Sequence, residues 1–152
     1  MKIDIREANG TDLDHGLLET LSSLAHVGLT SEKAREIFRA RLRTGARTYV
    51  AVADGRIIGT VSLLIEQKFI HGGGLVGHIE DVAVHGSHQN QGIASNLVRH
   101  AIAEARQQGC YKVVLGCYDS LAPFYERLGF RRHDVGMRLD LNTCYNTTGA
   151  AG

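Results

Sequence analysis

Three side chains capable of acid–base chemistry lie close together in the middle of the chain. His78, Glu80 and Asp81 belong to an apolar stretch, 78–84, whose valines and isoleucine predict a strand. In an ideal strand Glu80 and Asp81 point to opposite faces, and His78 shares the face of Glu80. A carboxylate inside a strand is costly unless it is paired or functional. Glu80 is therefore a candidate catalytic residue that orients or deprotonates a substrate, or else an ion-paired structural carboxylate, and Asp81 and His78 are candidate substrate-binding residues.

The next feature is a helix that begins at a glycine. Apolar residues recur at spacings of three and four from about Gly92 to Gln108, which predicts an amphipathic helix. Free backbone N–H groups at a helix start attract anions, and Gly92 lets a ligand approach the backbone closely. This junction is a candidate pyrophosphate-binding segment, or else an ordinary strand-to-helix turn. It consists of Gln89, Asn90, Gln91, Gly92, Ile93, Ala94 and Ser95.

The elements that precede this site are predicted from periodicity and capping residues. Polar–apolar alternation over 2–6 predicts a strand, and leucines at helical spacing predict a helix over 12–25. A second helix is predicted over 30–45, with Thr30 or Ser31 as its cap. The arginines of this helix are interpreted as a solvated face: Arg35, Arg39, Arg41 and Arg43.

A hairpin and two short elements complete the predicted frame. The strands Thr48–Ala53 and Arg56–Glu66 flank Asp54-Gly55, the strongest short hairpin signal. After the central helix, a strand is predicted over Lys112–Cys117 and a short helix over Leu121–Leu128. Cys117 is interpreted as a small buried strand residue rather than a nucleophile.

The last part of the chain is predicted to close the sheet. Residues 130–141 are expected to contain one or two strands, and the small, polar residues 142–152 are expected to form a disordered tail. Residues 1–141 show no linker or internal repeat, so they predict one domain. The order of strands and helices predicts an α/β (α+β) fold with one mixed sheet flanked by helices.

Composition limits the classes of function. The chain has 152 residues and a formal net charge of +1, which argues against a dedicated nucleic-acid or anionic-membrane binder. Three cysteines, Cys110, Cys117 and Cys144, are too few for a disulfide scaffold and indicate a reducing, cytoplasmic location. The eight histidines are scattered, so no metal is expected. No apolar run is long enough to span a membrane.

Two segments carry patterns that are typical of one enzyme family. Gln89, Gly92 and Ala94 match Q/R-x-x-G-x-G/A, and residues 124–130 have the sequence F-Y-E-R-L-G-F. Both resemble segments of the GNAT N-acetyltransferases, whose element order also matches nearly the whole chain. The resemblance implies an N-acetyltransferase with a single mixed, mainly antiparallel sheet of about six to seven strands and about four helices. It also implies acetyl-CoA as co-substrate, a small-molecule amine as acceptor, and a homodimer.

Three further segments resemble one subgroup of that family, the eukaryotic-type glucosamine-6-phosphate N-acetyltransferases. They are K-F-I-H at 68–71, G-H-I-E-D at 77–81 and G-C-Y-K at 109–112. The subgroup carries a threonine, an aspartate and a basic residue where this chain has Ala25, Gly116 and Asp140. These departures concern the acceptor rather than acetyl-CoA. A phosphate would need other basic groups, for which the candidates are Lys68, His71, Arg131, Arg132 and Arg138.

The resemblance also implies roles for particular residues. The backbone of Val82, Ala83 and Val84 would pair with the pantetheine amides, and residues 89–95 would wrap the pyrophosphate. Tyr125 would protonate the leaving thiolate, and core packing is the alternative interpretation of its ring. The alternatives to an amino-sugar acceptor are another small amine, an antibiotic or a protein amine. A non-catalytic acyl-CoA-binding module is the alternative to an enzyme.

Overall fold

The computed structural model describes residues 1–142, which form two compact units. The first unit runs from Met1 to Leu115, and the second begins at Gly116. Each unit is described by itself below. Of the predicted tail, only Asn142 is among the described residues. Cys144 lies outside them.

The first unit is built on a mixed, mainly antiparallel sheet, as predicted. Its strands are β1 (Asp4–Glu7), β2 (Ala46–Ala53), β3 (Arg56–Gln67), β4 (Leu75–Val84) and β5 (Cys110–Val114). They follow one another in chain order across the sheet. The first three pairings are antiparallel, and β4 pairs with β5 in parallel. Within residues 1–142 the sheet has five strands, so the predicted number of six to seven is wrong.

The missing strands are those predicted for residues 130–141. Residues 135–141 alternate apolar residues with polar or small ones, but these apolar side chains are exposed: Val135 85%, Met137 94%, Leu139 83% and Leu141 91%. A strand exists only where a neighbouring strand accepts and donates its backbone hydrogen bonds. Among the described residues, none of this segment is paired as a strand. The prediction of one or two strands here is therefore wrong for the described residues.

The described part of the chain contains five α-helical segments rather than the predicted number of about four. They are α1 (Leu17–Leu21), α2 (Ser31–Arg43), α3 (Ile70–Gly73), α4 (Ile93–Gln107) and, in the second unit, α5 (Ala122–Arg127). The α3 segment is a single turn in which His71 and Gly72 have positive φ. None of the helices in the described part of the chain is long and apolar enough to cross a bilayer.

The helix predicted over 12–25 is divided in two by a glycine. A 3-10 turn covers Gly10–Asp14, and α1 begins only after Gly16, whose φ is +109°. A Cβ at Gly16 would lie 2.6 Å from the carbonyl oxygen of Ile57, so this position requires glycine. The leucine spacing was continuous, but the backbone contact with β3 breaks the helix.

Helices cover both faces of the sheet in the first unit. On one face, α4 packs closely on β3 because Gly59 has no side chain; a Cβ there would lie 2.9 Å from both Ile93 and Leu97. On the other face, α1 and α2 pack on the sheet through a cluster that includes Leu17, Phe38 and Val50. The sheet is therefore buried on both sides, and the ends and edges of its strands remain as places for a site.

Several local predictions are confirmed. Asp54 and Gly55 both have positive φ, 49° and 74°, as a two-residue type I′ hairpin requires. The Thr30 hydroxyl accepts a hydrogen bond from the backbone N–H of Lys33 at 3.1 Å and so caps α2. In the second unit Pro123 lies in the first turn of α5, where its missing N–H costs little.

Candidate active site

The first element of the site is the edge of β4 where β5 leaves it. The parallel pairing runs from Leu75 to His78 and ends opposite Val114. Beyond it, 79–84 has no strand partner on the β5 side among residues 1–142. An extended ligand that carries amides can add to such an edge through backbone hydrogen bonds. The predicted residues Val82, Ala83 and Val84 lie in this segment.

A β-bulge bends β4 at the same place. Thr60 pairs with Ala83 and Ser62 pairs with Glu80, so Asp81 and Val82 together face a single residue of β3. Asp81 has a φ of +50°, a left-handed conformation that is uncommon outside glycine, asparagine and aspartate. Bulges re-aim side chains and increase local twist. As a result Asp81 does not follow the alternation of an ideal strand, on which its predicted direction depended.

The second element is the start of α4, where the pyrophosphate-binding segment was predicted. Asn90 and Gly92 have φ values of +62° and +77°, and no side chain caps the helix. Among residues 1–142, nothing lies within 4 Å of where a Cβ on Gly92 would be, so they leave the space in front of the helix open. Ile93 is buried and offers only its backbone N–H. Uncapped N–H groups facing open space are suited to an anion.

The two elements are linked by one side chain. The amide of Gln89 donates to the carbonyl oxygen of Val84 at 3.5 Å, which joins the start of the turn to the end of β4. A ligand with an amide-containing arm and a phosphate group would meet both surfaces along one continuous stretch. The other predicted segment residues follow in order: Asn90, Gln91, Gly92, Ile93, Ala94 and Ser95.

The third element is a cavity of about 170 Å³ between the helical layer of α1 and α2 and the sheet. A single water needs only about 10–15 Å³ of such space. Leucines of the N-terminal region and Phe38 of α2 form its apolar wall. The polar groups lie on α2 and the sheet: Arg41, Thr48, Thr60, Ser62 and Asp81. A small polar molecule with an apolar face would fit these surroundings.

Arg41 is the cation of this cavity, and its interpretation as part of a solvated face is wrong. Its guanidinium donates to the hydroxyl of Ser62 at 2.8 Å and to that of Thr48 at 3.3 Å. Both hydroxyl residues are buried. The sequence did contain the signal, because Arg41 follows Ala34, Ile37 and Phe38 at the spacing of one helical face.

The predicted acid–base residues of β4 lie in different surroundings. The His78 ring is 2.9 Å from a carboxylate oxygen of Glu66, and Lys68 binds the same carboxylate at 3.1 Å. The hydrogen bonds from His78 and then Lys68 hold the pKa of Glu66 below its usual value. Glu80 is exposed, and within residues 1–142 it forms no ion pair. Of the two carboxylates of β4, Asp81 is the one that lines the cavity.

Tyr125 belongs to the second unit, and its ring is 9% exposed. It contacts Phe124 and Phe130 edge-on, with ring centroids 4.9 Å and 5.8 Å away. Burial raises the pKa of Tyr125, and an electrostatic contribution from Cys117 raises it further. The phenol therefore stays protonated at neutral pH. Cys117 itself is exposed and lies beyond the end of β5, so its prediction as a buried strand residue is wrong.

Comparison with known proteins identifies the family. The family model described as "Acetyltransferase (GNAT) family" matches residues 15–130. The chain belongs to the GNAT family. The predicted family and the predicted mixed sheet flanked by helices are thereby confirmed.

Named relatives of this GNAT chain extend over most of its length. A Trypanosoma brucei brucei protein named glucosamine 6-phosphate N-acetyltransferase is 40% identical over 142 residues, covering 91% of this chain and 96% of that protein. Glucosamine 6-phosphate N-acetyltransferase 1 of Oryza sativa subsp. japonica is 36% identical, covering 89% and 85%. The crystal structure of glucosamine-6-phosphate N-acetyltransferase from Arabidopsis thaliana has a TM-score of 0.89 at 28% identity, covering 93% of this chain and 100% of that chain.

Proposed function

We propose that this GNAT chain transfers the acetyl group of acetyl-CoA to the amine of an amino sugar, and that the sugar is glucosamine 6-phosphate. The observation that carries the proposal is the segment of β4 that β5 leaves unpaired, which is followed directly by the uncapped start of α4. Family membership supports the use of acetyl-CoA. The names of the relatives support the acceptor.

The chain's own backbone would hold the donor. The edge at Val82, Ala83 and Val84 pairs with the amides of the pantetheine arm, and the N–H groups that follow Gly92 bind the pyrophosphate. A backbone N–H of the unpaired segment 79–84 that faces the thioester carbonyl would stabilise the charge that develops on the carbonyl oxygen. Gly92 supports this assignment because a side chain there would project into the open space before the helix.

The carboxylates of β4 would handle the acceptor. An amino sugar reaches the protein mainly as an ammonium, which cannot attack a thioester until it loses a proton. Asp81 lines the cavity and would bind and orient the ammonium, while the exposed Glu80 would remove the proton directly or through water. His78 shares Glu66 with Lys68, so we assign it to organising the neighbouring strand surface rather than to proton transfer.

Tyr125 would provide the proton for the departing thiolate. Its raised pKa keeps the phenol protonated, which is the form that can donate. In the balanced step, the amine nitrogen attacks the thioester carbon, the C–S bond breaks, and the thiolate takes the phenolic proton. The nitrogen then loses its second proton, which water carries to the phenolate, so that the amide, the free thiol and the phenol remain.

The same proposal includes a homodimer in the cytoplasm. The exposed apolar side chains at Val135, Met137, Leu139 and Leu141 alternate along an unpaired segment, and a second copy of the chain would cover them. Cys110 and Cys117 are both free thiols, which supports a reducing compartment.

The test is a thiol-release assay with acetyl-CoA across a panel of amines. We expect glucosamine 6-phosphate to give the highest kcat/KM, ahead of glucosamine, polyamines, aminoglycosides and peptide amines. Turnover of another amine class without turnover of either sugar would refute the amino-sugar acceptor and retain the acetyltransferase. Binding of acetyl-CoA without turnover of any amine would favour a non-catalytic acyl-CoA-binding module.

A further inference from the structure

We propose that Arg41, together with the hydroxyls of Ser62 and Thr48, forms the subsite for the phosphate of the acceptor. Asp81 would bind the ammonium of the same molecule on another wall of the cavity. This inference rests on the proposed function, which supplies an acceptor with both charges. It assigns the phosphate to the helix α2 and the strands β2 and β3, and not to the basic residues that the sequence suggested.

Within residues 1–142, no carboxylate compensates the charge of Arg41. The side chain is half-buried, and in the described part of the chain its guanidinium bonds to neutral hydroxyls and forms no ion pair with a carboxylate. A half-buried cation without a counter-ion is unfavourable, and an entering anion would remove that penalty. Arg39 and Arg43 on the same helix are exposed and remain in water.

The position and geometry of the Arg41 guanidinium also suit a phosphate. The hydroxyls of Ser62 and Thr48 hold it at the wall of a cavity that Asp81 also lines. Both hydrogen bonds come from one terminal nitrogen, Nη2, so the remaining N–H groups can bind phosphate oxygens. A planar, fixed guanidinium recognises phosphate through paired hydrogen bonds. A molecule that carries an ammonium and a phosphate matches the two charges of this cavity.

Three of the other basic candidates, by contrast, are already paired with carboxylates. Lys68 binds Glu66, Arg132 binds Asp119, and Arg138 binds Asp140. Asp140, which stands where the subgroup has a basic residue, is itself the partner of Arg138. Each of these cations would have to leave a carboxylate before it could bind phosphate, whereas Arg41 would not.

The experiment compares kcat/KM for glucosamine 6-phosphate and for glucosamine in the wild type and in Arg41→Met. We expect Arg41→Met to lower the value for the phosphorylated sugar by about 30- to 100-fold, mainly through KM. The value for glucosamine should change less than about threefold. Arg41→Lys keeps the charge without the planar fork and should fall in between. Arg39→Met is the matched control, since it removes the same charge from an exposed site on the same helix.

The outcomes separate this inference from the proposed function. If glucosamine 6-phosphate is a substrate and both Arg41 variants keep the wild-type preference for it, the subsite is refuted while the function stands. If neither sugar is turned over, the proposed function fails, and the binding of inorganic phosphate becomes the test of the subsite. A phosphate-dependent rise in Tm that Arg41→Lys weakens would then retain an anion subsite, and no rise would refute it. Arg41→Lys also gives the decision if Arg41→Met does not fold.

Discussion

The guanidinium of Arg41 donates to the hydroxyl of Ser62 across 2.8 Å, and Ser62 is also the register partner of Glu80 on the neighbouring strand. Ser62 thus contacts a cation of α2 through its hydroxyl and pairs with β4 through its backbone. Because Ser62 is only 5% exposed, this arrangement is fixed by packing and hydrogen bonding and does not depend on a surface contact. It places polar groups of α2, β3 and β4 next to one another.

Gly92→Glu should abolish the binding of acetyl-CoA. The carboxylate would project into the open space at the start of α4, where it would fill the site and repel a pyrophosphate. Acetyl-CoA should raise the Tm of the wild type, because a ligand that binds only the folded state stabilises that state. The variant should show no such rise. Gly109→Glu is the matched control, because Gly109 also has a positive φ and free space around it but follows the other end of the helix. Equal shifts in both variants would contradict the assignment.

Tyr125→Phe should slow the chemical step and leave the donor affinity unchanged. The variant keeps the ring that packs against Phe124 and Phe130 and removes the hydroxyl. We expect turnover to fall by roughly tenfold to a thousandfold, measured by single-turnover kinetics alongside the Kd for acetyl-CoA. Tyr118→Phe, at a half-exposed tyrosine of the same unit, is the control. An unchanged single-turnover rate would exclude Tyr125 as the proton donor.

Asp12→Asn should lower the free energy of unfolding in a pH-dependent way. Asp12 binds Arg6 through both carboxylate oxygens at 2.8 Å and accepts the backbone N–H of Asn9. The Arg6 hydrogen bond holds the pKa of Asp12 below its usual value. Because the folded-state pKa is lowered, the stabilisation is present above the unfolded-state pKa and is lost as pH falls through the folded-state pKa.

The measurement is urea unfolding from pH 7 downward. At pH 7 we expect Asp12→Asn to be less stable than the wild type by about 2 kcal/mol. The difference should persist to about pH 5 and shrink below about pH 4. Asp4→Asn, at an exposed carboxylate of the same strand as Arg6, should stay within about 0.5 kcal/mol of the wild type. A difference that is constant with pH would argue against the ion pair as its cause.

Leu139→Asp should convert the proposed homodimer to a monomer. A carboxylate placed in an apolar contact between two copies would lose its hydration without gaining a partner. Sedimentation velocity at several protein concentrations measures the change. Gly136→Asp adds the same charge in the same segment at a position outside the alternating apolar set, and it should stay dimeric. A wild type that is monomeric at all concentrations would refute the dimer itself.

Local signals in the sequence predicted the parts of the fold that depend on nearby residues. The Asp54-Gly55 turn was predicted because both positions must adopt positive φ, and α4 was predicted because its apolar face repeats through fifteen residues. The start of α4 was predicted from Gly92, the glycine directly before this apolar pattern begins. Each of these features is decided within a few turns of chain.

Features that depend on distant partners were not predictable in this way. The division of the first helix at Gly16 depends on a carbonyl of β3, and the bulge at Asp81 depends on the register of two strands. The separation of β5 from β4 after His78 also depends on strand pairing, which no single residue type predicts. Arg41 was misinterpreted for another reason: charge was given more weight than its place on the apolar face of α2.

The left-handed backbone of Asp81 has a consequence for how acceptor specificity can change. A φ of +50° favours glycine, asparagine and aspartate and penalises other side chains by roughly 1–2 kcal/mol. Of these three, aspartate alone carries a charge, so nearly every substitution at this position would discard the ammonium contact or distort the strand that also forms the donor edge. A library that seeks new acceptors should therefore keep position 81 fixed and vary the apolar wall at Leu18 and Leu21, where side chains can change without altering the backbone.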